Sequence, residues 1–221
     1  MHASRSRDRK LSRQPARHAR RSSLRRGGTV RPAFRNRRPA PEPIRVPFDS
    51  PEPWFEPEGG PLRIRVESAG TGYVHAVTAD QIRQRLDMLP ARFRRQVEVV
   101  QLSRMTRKRA LFARYGLQWG TAAYLYPVEE TLVECYRRPP LPQQQIEAKM
   151  FGGRWRQKGN RWELVWTPQA VRDFYLHSVL IHEVGHIVDQ RNVRSVERER
   201  FADWFAIEYG YKVWRRTQRR R

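Results

Sequence analysis

One stretch constrains this chain more than any other: Val179-Leu180-Ile181-His182-Glu183-Val184-Gly185-His186-Ile187-Val188. Apart from two imidazoles and one carboxyl it is apolar, so as a helix it has no wet side and must be buried. Thr167-Pro168 supplies a start, a threonine N-cap with proline at the first helical position, and the helical pattern runs on to Asp189. Leu180, Ile181, Val184, Ile187 and Val188 take the side opposite the histidines. Two buried imidazoles beside a glutamate need hydrogen-bond partners or a cation, because burial without either is costly.

The spacing says which. His182 and His186 are four residues apart, one helical turn, so both rings can meet a single ion. Zinc accepts neutral imidazole nitrogens in tetrahedral sets. Glu183 projects roughly a quarter turn away, within reach of a water beside the ion but not in a ligand's place. H-E-x-x-H is therefore an arrangement suited to zinc-assisted hydrolysis, with Glu183 as general base. With six histidines in the chain, chance alone would produce the pattern in roughly one such chain per hundred.

A third ligand is needed, and Glu199-Arg200-Phe201-Ala202-Asp203-Trp204-Phe205-Ala206 offers one. Ser195 can cap this second helix and Gly210 can end it. Glu199, Ala202, Asp203, Ala206 and Gly210 then share one face. Their small members, with Gly185 on the first helix, allow the two axes to approach closely. Glu199 can complete the site, and Asp203 can orient a histidine through its second ring nitrogen. Asp189 and Glu197 are the other candidate ligands. His177 falls on the far side of its helix and is expected to be structural, and His75 has no assigned role.

H-E-x-G-H followed by E-x-x-A-D-x-F-A resembles the gluzincin pattern. It is similar to thermolysin-type E-x-x-x-D pairs and to minimal single-domain gluzincins, including ImmA/IrrE-like regulatory proteases. The resemblance spans residues 180–206. It implies an α+β, zincin-like domain with a small mixed sheet, an active-site helix and a second ligand-bearing helix. It also implies Zn2+ held by His182, His186 and Glu199, Glu183 as catalytic base, Asp203 behind a ligand histidine, and a protein or peptide substrate bound along a sheet edge. A metzincin would need a glycine and a histidine where Asp189 and Asn192 stand.

The rest of the chain reads more coarsely. Leu62, Ile64 and Val66 alternate with charged residues as in a half-buried strand, and Thr78 with Gln81 forms a capping box before a helix. Val97–Leu102 reads as a strand. Thr106–Tyr115 reads as a short basic helix, solvated and closed by Gly116. Thr121–Tyr126 and Thr131–Tyr136 read as two strands joined by a turn at Pro127–Glu130, the former a candidate edge beside the cleft. Trp155 and Trp162 flank a Lys158-Gly159-Asn160 hairpin turn.

Charge divides the chain. Of a formal net +23, residues 1–40 hold fourteen Arg or Lys against the single acid Asp8. With few large apolar residues, that arm is expected to be disordered and to attract polyanions such as nucleic acid. A Pro/Glu-rich linker spans 41–61, with Trp54 and Phe55 able to dock. The domain is expected over 62–211 and a basic tail over 212–221. A nucleic-acid-associated protein with a purely structural zinc is the competing class. No run is apolar enough for a transmembrane span and no secretory signal is evident. The single Cys135, read as packing in an apolar strand, excludes an internal disulfide and fits a cytoplasmic protein.

Overall fold

The alternation that begins at Leu62 becomes β1 (Arg63–Val66) in a computed structural model that describes Phe55, residues 58–111 and residues 114–219. The basic arm 1–40 and most of the linker 41–61 lie outside the described residues. Those described belong to one unit, Val46–Arg221. The fold is α+β.

The principal sheet is mixed. β1 runs parallel to β3 (Val99–Leu102), β3 parallel to β5 (Ala122–Leu125), and β5 antiparallel to the edge strand β4 (Gly116–Trp119). Every residue of β3 and β5 is buried, Gln101 included, as in strands whose two faces are both covered. On one face Val100, Leu102, Ala123 and Leu125 meet α1 (Ala79–Asp87) and the long helix that carries His182. Thr78 and Gln81 cap α1 reciprocally, as their spacing required. On the other face Val99, Ala122, Tyr124 and Tyr126 pack with Leu117, Trp119 and Phe55. Phe55 stacks on Tyr124 at 6.1 Å and donates its amide to the Tyr124 hydroxyl, so this part of the linker is docked.

A second, antiparallel sheet has the order β7-β9-β8, formed by β7 (Val133–Tyr136), β8 (Arg154–Lys158) and β9 (Arg161–Val165). The β8–β9 hairpin turns at Gly159-Asn160, where Gly159 has φ +60°. β2 (Tyr73–Val74) pairs with β6 (Val128–Glu129), the short α2 (Ala91–Arg94) precedes β3, and α4 (Pro142–Met150) precedes the hairpin.

Several expectations are corrected. Thr121–Tyr126 and Thr131–Tyr136 do not form a hairpin: both edges of β5 are already taken, by β3 and β4, so the chain crosses to the second sheet. Among the described residues the basic helix is α3 (Arg107–Leu111), and Gly116 opens β4 instead of closing a helix. Arg109 is buried, its guanidinium 4.6 Å from the Tyr126 ring centroid, where a solvated face was expected. Cys135 is exposed, because the alternation of β7 turns Glu134 and Tyr136 inward against Tyr115. Val66 is 59 % exposed, so the alternation of β1 does not hold to its end.

The last helix also departs from expectation. It begins at Ser195 as α7 (Ser195–Phe205), with Arg194 at the cap position and no side-chain cap bond. It then passes Gly210 through a π-helical stretch, Ala206–Tyr211, into α8 (Lys212–Gln218). Trp214 explains the extension: its ring lies against Phe151 at 5.1 Å and against Tyr211 and His177, so the segment read as a basic tail has an apolar anchor. Among the described residues no helix is long and apolar enough to cross a membrane.

Candidate metal centre

Two helices make the site. The first starts where Thr167 accepts a hydrogen bond from the Ala170 amide and runs through α5 (Pro168–Phe174), a π-helical turn at Tyr175–Val179 and α6 (Leu180–Val188). The second is α7. They touch through glycine: a Cβ on Gly185 would lie 2.9 Å from the Ala202 Cα and 3.2 Å from the Phe205 Cβ. A Cβ on Gly210 would overlap the His177 carbonyl oxygen. Only absent side chains let the helices come this close, and that approach carries Glu199 and Asp203 over the two histidines.

The nitrogens His182 Nε2 and His186 Nε2 face each other at 3.1 Å. Glu199 lies across both, Oε2 at 3.4 Å from His182 Nε2 and Oε1 at 3.5 Å from His186 Nε2. One donor atom from each of the three lies within 4.8 Å of the others, so the group could hold a metal ion. Asp203 Oδ1 is 3.2 Å from His182 Nδ1 and fixes the proton there, leaving the Nε2 lone pair to the centre. Two imidazole nitrogens so close need a proton or a cation between them. The donor set, two imidazoles and a carboxylate with one ring oriented by an acid, fits zinc. His186 Nδ1 is buried without a hydrogen-bond partner among the described residues.

Their surroundings shift the two imidazole pKa values in opposite directions. Burial works against protonating His182, but the Asp203 bond and the charges of Glu183, Asp203 and Glu199 outweigh it, and its pKa is raised. His186 is held below the usual histidine value by burial and by the neighbouring His182. Glu183 is 7 % exposed, and burial pushes its carboxyl up to about 7 against the opposing pull of His182.

Glu183 lies under the edge strand: a Cβ on Gly116 would fall 2.5 Å from Glu183 Oε1 and 2.9 Å from its Cγ. The cleft beside it has two hollows that share Arg114, Gly116, His182 and Glu183. One, of about 530 Å³, is bordered by Leu117 and Gln118 of β4 and by Glu199. The other, of about 410 Å³, runs toward α4.

The remaining candidates fall elsewhere. Asp189 turns back to accept from Asn192 and Arg191, and Glu197 pairs with Arg194 at 3.8 Å, so neither joins the cluster. His177 accepts from Arg85 Nε at 3.0 Å and is held near pKa 3 by burial and by the Arg85 and Arg172 charges. His75 Nε2 bonds the Glu67 carbonyl. Sequence reasoning missed the cleft-lining Arg114, Gly116, Glu147 and Ser178. A signal for Gly116 existed: Leu117 and Trp119 alternate before Gly120, where the chain, at φ +57°, turns β4 into β5. No family model, curated protein or solved structure matches the chain.

Proposed function

We propose that the chain is a zinc-dependent peptidase of gluzincin type, built on a zincin-like domain. The observation that carries this reading is the convergence of His182, His186 and Glu199 beside a buried, cleft-facing Glu183. Zinc bound to those three side chains would supply a Lewis acid for the scissile carbonyl and an acidified water. Asp203 holds the His182 ring in the ligating tautomer. Glu183 moves the proton, taking it from the attacking water and returning it to the leaving nitrogen. Burial raises the proton affinity of this carboxyl in the metal-free protein, which suits it to take up and return that proton.

The substrate surface is β4. Among the described residues this strand pairs with β5 alone, and Gly116 to Gln118 border the cleft. An extended peptide added along that edge would lie over Glu183 by main-chain pairing. A structural zinc site uses four protein ligands and is closed. Here three side chains converge next to an open cleft, and Glu199 is 58 % exposed, which favours catalysis.

The test is a pair of measurements on purified full-length protein. Zinc analysis is expected to give about one ion per chain, lost on chelation. Glu183→Gln is expected to keep the zinc and lose cleavage of a protein substrate found by unbiased proteomics by about 10²–10⁴-fold. Wild-type-rate cleavage by the variant, or an absence of zinc in the wild type, defeats the reading.

A further inference from the structure

The hollow toward α4 sets a carboxyl among apolar side chains. Its wall is largely apolar, with Ile146 and Met150 from α4, Phe174, Val179 and Ile207. Glu147 also lines it and carries a half-buried carboxyl. Ser178 donates to Glu147 Oε1 at 2.9 Å. Ser178 stands four residues before His182, so this carboxyl is tied to the helix about 6 Å up the axis from the metal ligand. His182 and Glu183 line the same hollow. A substrate side chain entering beside the scissile bond therefore meets apolar side chains and the Glu147 carboxyl, while Asp203, which also lines the hollow, is taken up by His182.

We infer that this hollow is a specificity pocket and that Glu147 selects an arginine or lysine side chain next to the scissile bond. Arginine and lysine have the matching shape, an apolar stem ending in a cation. The need for a cation is physical: a carboxylate partly withdrawn from water is costly unless paired, and one serine hydroxyl satisfies only part of it. Burial accordingly holds the Glu147 carboxyl above its usual pKa, partly opposed by Ser178 and His182. The arginine on the pocket wall, Arg114, bears instead on Glu183. Exposed Ile146 and Ile207 give the stem a surface at the pocket.

The inference rests on the peptidase reading, so its test includes a readout independent of turnover. The zinc-loaded Glu183→Gln protein is incubated with a randomised peptide library, and bound peptides are sequenced. Arginine and lysine are expected to be enriched at one position by at least about tenfold over leucine or glutamate. Adding Glu147→Gln should abolish that enrichment, while adding Ser178→Ala, which keeps the charge, should retain it. The wild type should show the same preference in cleavage, mainly through KM. Enrichment that survives Glu147→Gln, or is lost equally in Ser178→Ala, overturns the assignment of selectivity to this charge. A flat library result overturns the pocket. Binding selectivity without cleavage by the wild type would instead count against the peptidase reading alone.

Discussion

Gly116 stands over Glu183 with no room for a Cβ between them: the edge strand has no side chain at the point where the carboxyl of the long helix needs room. A side chain fits there only if its neighbours move, since an added methyl carbon would stand 2.5 Å from Glu183 Oε1 and 2.9 Å from Val179 Cγ1. Gly116→Ala is therefore expected to displace Glu183 without touching the His182, His186 and Glu199 donors. Zinc content should stay near the wild-type value while kcat/KM falls by about 10²-fold, the scale of a misplacement near one ångström. Metal analysis beside peptide-cleavage kinetics reads both. Loss of zinc together with activity would mean the glycine serves the fold and not the base.

The helical half of this arrangement could be read from the residues. His182, Glu183 and His186 declare themselves by spacing, and Glu199 with Asp203 by lying on a face otherwise made of Ala202, Ala206 and Gly210. Helix geometry is local, so the consequences of that spacing follow without knowing the rest of the fold. The sheet half was not legible. Gly116 could as well close a helix as open a strand, and only the pairing of β4 with β5, set by long-range contacts, decides between them. Glu147 was hidden for the same reason: its partner Ser178 is thirty-one positions away. Trp214 shows the limit of composition, because one apolar contact set keeps a basic segment helical.

Glu199 and Asp203 should separate in a metal titration. Glu199 faces both histidine Nε2 atoms, whereas Asp203 meets only His182 Nδ1 on the far side of the ring. Glu199→Ala removes a donor and is expected to weaken zinc more than Asp203→Ala, which should cost about 10–100-fold. Competition against a chelator of known affinity measures both. Were Asp189→Ala the damaging change and Glu199→Ala silent, the ligand set would be wrong.

The Glu183 carboxyl makes the metal-free protein sensitive to pH. Its pKa rises from the ordinary 4.5 to about 7 on burial, so the folded state holds this proton more tightly than the unfolded chain. The associated stability is complete below about pH 4.5, declines as pH rises toward 7 and is lost above it. The difference is about 3 kcal/mol. Glutamine mimics the protonated form at every pH. Chelated Glu183→Gln should thus melt with the wild type near pH 4 and at least about 4 °C above it at pH 8. Zinc should shrink the gap, because a nearby cation lowers the carboxyl pKa again. Parallel melting curves across the range would show that burial does not govern this group.

Gly210 tests whether the helix contact is as tight as the site requires. It is buried and faces the His177 carbonyl oxygen with no room for a methyl group. In an exposed helix, glycine to alanine stabilises by up to about 1 kcal/mol. Here the sign should invert, since the two helices must separate or shift to admit the new carbon. Overpacking of this kind costs about 1–3 kcal/mol. Urea unfolding of Gly210→Ala, in chelator, measures the loss. Zinc affinity should fall as well, because Glu199 and Asp203 ride on the displaced helix while both histidines stay on the other. A variant as stable as the wild type, with unchanged zinc affinity, would mean that the second helix can move without disturbing the centre.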